Sequence, residues 1–259
     1  MKNYHTHTSR CGHADGTDRE YVEAALRRGF STLGFSDHVP WPYKSGFRHD
    51  KVRMGVERLP EYVQSISSLK EEYRDRIEVL LGFEAEYFPE YMGWLSETAE
   101  RYRLDYMILG HHYDVSDETG MYFGNVRYAS EIGRYVEQVI AGLRTGLFAC
   151  LAHPDLFMRA GFPYNEDARS ACRDLCDCCL ELNIPMEYNL HERYRFPQTH
   201  RLSYPNADFF EDVRARGVRV ILGVDAHSPE EIENPVQWDL AMQEIGAYAG
   251  FEDGLTGKR

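Results

Sequence analysis

The sequence predicts a closed or nearly closed α/β barrel of seven strand–helix units. Strand-like and helix-like patterns alternate without a linker or an obvious repeat, and the strands are almost continuously apolar, as buried parallel strands are. A His, Asp or Glu residue stands at the end of every predicted strand. Because a barrel brings all strand ends to one rim, it can join these residues in one site, whereas the outer strands of an open sheet lie too far apart. We therefore expect one domain over residues 1–259.

The individual elements follow from local signals. The predicted strands are residues 3–7, 32–36, 77–83, 106–109, 147–151, 184–188 and 218–222. The first helix is expected between Thr17, which opens a capping box with Glu20, and Gly29, which is placed to end it. The later predicted helices are residues 57–74, 91–101, 128–144, 166–182, 207–216 and 230–245. The helix at 128–144 has the clearest amphipathic pattern.

Composition excludes several classes of protein. No apolar run approaches the roughly 18 residues of a membrane span, and the N-terminus has a strand pattern instead of a signal peptide. The six cysteines are not spaced like a disulfide framework, so we expect free thiols and a cytoplasmic location. A formal charge of −13 argues against a nucleic-acid binder, whose contact face is normally basic. It does not exclude a small phosphorylated substrate, because metal ions can reverse the field locally.

Candidate metal ligands lie at the strand ends. A single His there is more often an ordinary polar residue than a ligand, but a repeated pattern of His with Asp and Glu at successive strands is difficult to explain in that way. The candidates are His5, His7, Asp37, His38, Glu84, His111, His112, His153, Glu187, Asn189, His191, Asp225 and His227, with His13 in the first loop. His5 with His7, and Asp225 with His227, are pairs at i and i+2, which point to one side of an extended chain. Imidazole and carboxylate without thiolate suit Zn²⁺, Mn²⁺ or Fe²⁺.

The ordered motifs resemble those of the PHP (polymerase and histidinol phosphatase) family, and most closely its stand-alone histidinol-phosphatase branch. They are His5-Thr6-His7, Gly12-His13-Ala14, Ser36-Asp37-His38, Gly82-Phe83-Glu84, Leu109-Gly110-His111-His112, Ala152-His153-Pro154-Asp155, Glu187-Tyr188-Asn189 and Asp225-Ala226-His227. The resemblance covers nearly the whole chain. It implies a distorted seven-stranded (β/α)7 TIM-like barrel of the PHP type with three divalent transition-metal ions.

The resemblance also implies how the ligands divide among the ions. The first ion would be held by His5, His7, Glu84 and Asp225, the second by Glu84, His112 and His153, and the third by His13, His38 and His227. Glu84 would bridge the first two ions. His112 is preferred to His111 because the family motif is Gly-x-His. Asp37 would orient a ligand or cap a loop.

Phosphate needs donors besides the metal ions. Arg193 and Arg195 after the sixth strand and Arg159 after the fifth are candidates by position, since Arg can bind phosphate in a bidentate manner. Each of them could equally be a solvated loop residue. His191 could contact substrate or only belong to the loop.

Two further stretches have competing interpretations. Cys172, Cys176 and Cys179 could suggest a thiolate metal site, but at helical spacing they share one face, which favours core packing. The aromatic and basic stretch 41–49 could suggest a nucleic-acid platform, but in a barrel it is expected to form a lid or wall over the site.

The expected function is that of a cytoplasmic, metal-dependent phosphomonoesterase. The resemblance implies L-histidinol phosphate as substrate, in histidine biosynthesis, with attack by a metal-bound hydroxide that Glu84, Asp225 and His227 support as metal ligands. One alternative is a PHP-type enzyme acting on a nucleotide or another small phosphoester. A second alternative is a metal-binding module without catalysis, which would be expected to lack some ligands.

Overall fold

Seven parallel strands form the centre of the molecule in the part of the chain that the structure describes. The computed structural model describes residues 1–199, 202–248, 250–252 and 254–255. The strands are β1 (Lys2–Asn3), β2 (Thr32–His38), β3 (Glu78–Ala85), β4 (Tyr106–Leu109), β5 (Cys150–Leu151), β6 (Met186–Asn189) and β7 (Val220–Gly223). Each strand pairs with its neighbours in chain order, and every pairing is parallel.

The sheet closes between its first and last strands. Thr6 forms a parallel bridge with Ala226 just beyond β1 and β7. The amide of His7 donates to the carbonyl of Ala226 at 2.9 Å, and the amide of Ala226 donates to the carbonyl of His5 at 3.2 Å. The prediction of a nearly closed seven-stranded barrel is therefore confirmed, and closure occurs at the residues that lead into the histidine motif.

Helices surround the barrel. They are α1 (Asp18–Arg28), α2 (Leu59–Tyr73), α3 (Met92–Tyr102), α4 (Ala129–Leu143), α5 (Glu166–Leu182), α6 (His191–Thr199), α7 (Ala207–Arg216), α8 (Pro229–Glu233) and α9 (Pro235–Ile245). The capping box at Thr17 and Glu20 is present, and Gly29 ends α1 with a φ of 86°. No helix among the described residues is both long and apolar enough to cross a membrane.

Four elements differ from the sequence prediction. Strand β1 covers only Lys2–Asn3 instead of residues 3–7. Helix α6 begins directly after β6, where a loop was expected. The single helix predicted at 230–245 is interrupted at Asn234, because Pro235 supplies no amide hydrogen and Asn234 instead caps the amide of Val236 at 2.9 Å. Strand β5 is confined to Cys150–Leu151, shorter than the predicted 147–151.

The barrel interior is filled by a small cluster around Tyr106. Its hydroxyl donates to the carbonyl of Tyr4 at 2.6 Å. Gly34 and Gly82 leave the space for this ring, because a Cβ there would lie 2.3 Å from the Tyr106 hydroxyl oxygen and 2.6 Å from its Cε1, respectively. The interior is thus packed, and the open end of the barrel carries the polar residues.

The larger core lies between the barrel and the helices. Cys172, Cys176 and Cys179 are buried in it on α5, so the prediction of core packing for this helix face is confirmed. All six cysteines are free and buried.

Candidate metal centre

The carboxyl ends of the strands surround a cavity of about 350 Å³. This volume falls within the range of about 300–1,000 Å³ common for small-molecule sites. The histidines and carboxylates that line it are His7, His13, His38, Glu84, His112, His153, His191, Asp225 and His227. The barrel therefore brings together, from seven strand ends, most of the residues that the sequence singled out.

The first group consists of His5, His7, Glu84 and Asp225, all buried. The two Nε2 atoms of His5 and His7 lie 3.3 Å apart, and each lies 3.5 Å from Glu84 Oε2. Asp225 Oδ1 lies 3.5 Å from His5 Nε2 and 3.1 Å from His7 Nε2. Ligands of a tetrahedral Zn²⁺ at about 2.1 Å stand roughly 3.4 Å from one another. The four atoms therefore have the spacing of a metal-binding cage.

The second group lies on the other side of Glu84. Its Oε1 is 2.8 Å from His153 Nε2 and 3.5 Å from His112 Nε2. The two oxygens of one carboxylate thus face two separate groups of histidines. Such an arrangement suits a carboxylate that bridges two ions.

The third group is less regular. His13 Nε2 and His227 Nε2 lie 2.9 Å apart. The His38 ring lies 5.7 Å from that of His13, and its Nδ1 is 3.1 Å from Glu84 Oε2. Cys11 Sγ lies 3.9 Å from His13 Nε2. From the sequence, Cys11 was predicted only to be a free thiol. His13, His38 and His227 border the same cavity without forming a cage as regular as the first.

Further polar residues hold the histidines in place. Glu187 Oε1 accepts from His5 Nδ1 at 2.8 Å. Asp37 lies with Oδ1 3.6 Å from His7 Nδ1 and accepts from Thr8 through its other oxygen. A hydrogen bond to the far nitrogen, such as that between His5 and Glu187, fixes the tautomer and the orientation of a histidine that binds metal. The separation of Asp37 and His7 is longer than a hydrogen bond.

Charges in the site favour ionised carboxylates. Burial raises the pKa of Glu84 and of Asp225, but the nearby histidines outweigh it and hold both pKa values well below the ordinary range. Burial lowers the pKa of His7, but Asp225 and Asp37 raise it to about 9. A bound cation would take the place of that proton.

Unsatisfied buried atoms test whether a metal fits. Among the described residues, His7 Nδ1, His38 Nδ1, Glu84 Oε2, His153 Nδ1 and Asp225 Oδ1 are buried without a hydrogen-bond partner. Such atoms are rare in folded proteins and call for an explanation such as an ion. Two of them, Glu84 Oε2 and Asp225 Oδ1, belong to the first cage. The donor set of imidazole and carboxylate therefore fits divalent transition metals.

The backbone at two of these residues is strained. His153 has a φ of 28° and Asp225 a φ of 53°, values uncommon for residues other than glycine. The expected extended i, i+2 geometry therefore does not hold at Asp225, because the chain turns there. The His227 side chain nevertheless reaches the site, and its Nδ1 donates to the carbonyl of Asp225 at 2.9 Å.

The structure separates His111 from His112. His111 is buried away from the cavity, where its Nδ1 accepts from the amide of Tyr87 at 3.2 Å and its Nε2 bonds to Gln138 at 2.9 Å. His112 faces Glu84. Both nitrogens of His111 are thus occupied, and His112 is the residue placed at the site.

The predicted substrate residues divide into two sets. Arg159, His191 and Arg195 line the cavity. Arg193 does not: its guanidinium bonds to the Tyr188 hydroxyl at 2.7 Å and pairs with Glu244. The expectation for Arg193 therefore needs correction, because α6 is a helix and residues 191 and 195 share a face that 193 does not.

Six cavity residues were not predicted as substrate contacts: Lys51, Val52, Tyr113, Tyr122, Leu156 and Tyr204. Lys51 and Val52 reach the cavity from the loop after β2, and Tyr122 and Tyr204 from later loops. None of residues 41–49 lines this cavity, so the prediction that this stretch forms the wall was wrong, and Lys51 and Val52 further along the same loop take that place. No motif marks these positions, and only the loop's basic and aromatic composition could have indicated them.

The fold and the cavity define a (β/α)-barrel protein whose carboxyl-end site groups histidines and carboxylates that could hold metal ions. The family model described as PHP domain matches residues 3–191. The chain belongs to the PHP family, and the predicted membership is confirmed.

Other proteins are similar to this chain in sequence or in fold. The chain is 33% identical over 243 residues to a protein of Deinococcus radiodurans named probable histidinol-phosphatase, with 88% of this chain and 86% of that protein covered. It is 32% identical over 120 residues to the histidinol-phosphatase of Bacillus subtilis, with 44% and 45% covered. The fold is similar to that of a histidinol phosphate phosphatase from Lactococcus lactis complexed with zinc, L-histidinol and phosphate, with a TM-score of 0.72, 17% identity, and 97% and 94% covered.

Proposed function

We propose that this chain is a metal-dependent phosphomonoesterase that hydrolyses L-histidinol phosphate to L-histidinol and phosphate. The observation that carries the proposal is the position of Glu84, whose two oxygens face two separate groups of histidines. Pairs of metal ions about 3.5–4 Å apart recur in enzymes that displace groups at phosphorus, and a shared carboxylate suits such a pair. The similarity to relatives named for this activity supports the substrate.

The residues would divide among three ions of zinc, manganese or iron. The proposed ligand sets are His5, His7, Glu84 and Asp225 for the first, Glu84, His112 and His153 for the second, and His13, His38 and His227 for the third. When bound, the ions would withdraw charge from the phosphate and lower the pKa of water. Glu187 would keep His5 in the orientation that binds metal through its hydrogen bond, whereas Asp37 would act on His7 by its charge alone.

Two arginines would bind the phosphate beside the ions. Arg195 lies next to His191, with its Nη1 3.5 Å from His191 Nε2, and Arg159 donates from Nε to Glu192 Oε1 at 3.1 Å. Both line the cavity that holds Glu84. Charge-assisted bonds from such guanidinium groups orient a phosphate as well as attract it. His191 is the third proposed substrate contact.

The test combines metal content with activity. Protein purified without chelator or added metal is examined by elemental analysis and assayed with histidinol phosphate, a monoester panel and nucleotides. About three transition-metal ions per chain together with turnover of histidinol phosphate would support both parts of the proposal. Metal with hydrolysis only of another phosphoester would reassign the substrate. Protein that binds no metal after reconstitution would refute the proposed centre.

A further inference from the structure

A buried arginine lies in the long loop between β2 and α2. Arg53 is 3% exposed. Its Nη1 donates to the carbonyl of Val39 at 2.8 Å, its Nη2 to Glu86 Oε1 at 2.9 Å and its Nε to Asp117 Oδ2 at 2.8 Å. The guanidinium is therefore held between two carboxylates that come from different parts of the chain.

Asp117 connects this loop with a second one. It lies between β4 and α4, and its side chain is shielded from solvent. Besides Arg53, it accepts from His49 Nδ1 at 3.0 Å and from the Tyr43 hydroxyl. One carboxylate of the second loop thus binds three side chains of the first. We call Tyr43, His49, Arg53 and Asp117 the loop clamp.

Glu86 joins the loop clamp to the metal centre. It accepts from Arg53, from Trp41 Nε1 at 2.8 Å and, through Oε1, from His112 Nδ1 at 3.2 Å. Since a carboxylate only accepts, the His112 proton lies on Nδ1. The other nitrogen, Nε2, is then free to bind metal, and it lies 3.5 Å from Glu84 Oε1.

We propose that the loop clamp positions His112 through Glu86, so that the closed arrangement of the two loops determines the affinity of the second metal ion. The inference rests on the proposed metal centre. The same contacts fix the loop that carries Lys51 and Val52 to the cavity wall. Substrate-binding surface and metal ligand are thereby held by one set of hydrogen bonds.

Energetics support a role beyond stability. Taking Arg53, Glu86 and Asp117 out of water is costly. A protein in which well-packed apolar residues of similar volume replace such buried charges is often equally or more stable. A fully paired network instead fixes geometry. The Nδ1 atom of His153 is buried and has no hydrogen-bond partner among the described residues, in contrast to that of His112. In the second group, therefore, only the His112 imidazole is oriented by a hydrogen bond to its Nδ1, and Glu86 accepts that bond.

The test uses isosteric amides. Each hydrogen-bond partner of Glu86 and Asp117 named above is a donor, so Glu86→Gln and Asp117→Asn place an NH₂ group against a donor while keeping the volume. Glu57→Gln is the matched control, because it breaks an exposed ion pair with Arg48 beside the same loop. For each variant, affinity for Zn²⁺ is measured by chelator competition, together with kcat and KM.

The expected result is specific to one ion. Glu86→Gln should weaken binding of one zinc ion by about 10–100-fold, the range found when a group that orients a metal ligand is removed. Asp117→Asn should weaken binding of the same ion by a smaller factor. The double variant should lose no more zinc affinity than Glu86→Gln alone. Glu57→Gln should match the wild type.

Several outcomes would overturn the inference. A lower thermal midpoint with unchanged zinc affinity would show that the network serves stability only, and an additive double variant would show that Asp117 does not act through Glu86. If Glu86→Gln does not fold, Asp117→Asn alone must still lower the affinity for that zinc ion. Because the readout is zinc affinity, a wild type that binds zinc but leaves histidinol phosphate intact would refute the proposed substrate and not the loop clamp.

Discussion

Replacing Gly110 by alanine should disable the metal centre while leaving the fold intact. Gly110 follows β4, and a Cβ at this position would lie 1.9 Å from Glu84 Oε1 and 2.5 Å from its Cδ. The φ of Gly110 is not in the left-handed region, so alanine adds no backbone strain. The substitution therefore acts on the carboxylate that faces both groups of histidines.

The required displacement is large for a metal ligand. Ordinary contact begins near 3.4 Å, so Glu84 Oε1 must move by about 1.5 Å, from 1.9 Å. Metal–ligand distances tolerate only about 0.2 Å. A misplacement near 1 Å can cost about 100-fold in activity, so we expect at least that loss.

Elemental analysis and the histidinol-phosphate assay check this prediction. Gly110→Ala should retain a cooperative unfolding transition but lose both turnover and ions. Gly133→Ala on α4 is the control, since a Cβ there meets nothing within 4 Å. It should bind metal normally. A Gly110→Ala protein with the metal content and activity of the wild type would refute the bridging role of Glu84.

Three other predictions concern single residues. Arg195→Met should lower kcat/KM about 10–100-fold at unchanged metal content, as expected for a lost charged hydrogen bond, whereas Arg193→Met should change it less than twofold. His111→Ala should lower the thermal midpoint of the metal-free protein by roughly 5 °C. His112→Ala, in protein purified without chelator, should remove one ion in elemental analysis. Because the pKa of His7 is about 9, metal binding at pH 7.5 should release a proton, and affinity should rise toward pH 9. Titration calorimetry in two buffers with different ionisation enthalpies measures this release. Equal heats of metal binding in the two buffers would contradict it.

The sequence is most informative where strands meet the rim. The apolar run at 77–83 locates β3 closely, and Glu84 is the penultimate residue of that strand, Glu78–Ala85. In a parallel barrel all such ends lie on one side, so the order of the motifs alone places them around one cavity. The register between β2 and β3 agrees with this arrangement, because His38 on β2 lies opposite Glu84 on β3.

Orientation within loops and short helices could not be predicted in this way. Residues 191–199 contain a proline and no regular apolar stripe, so α6 was not expected. Without that helix, Arg193 and Arg195 appear equivalent, although only Arg195 faces the cavity. Likewise, the pairing of Arg53 with Asp117 joins two loops 64 residues apart, and no local pattern encodes such a contact.

The strained backbone at His153 and Asp225 links the metal centre to stability. Each such conformation costs about 1–3 kcal/mol and persists only where the surroundings enforce it. Here the amide of His153 donates to Glu187 Oε2 at 3.1 Å, and Asn189 donates to Asp225 Oδ2 at 3.1 Å. Glu187 itself fits only because position 223 is glycine, where a Cβ would lie 1.7 Å from its Oε1. The metal-free site is therefore a source of instability that bound ions would offset, because a ligand that binds only the folded state stabilises it.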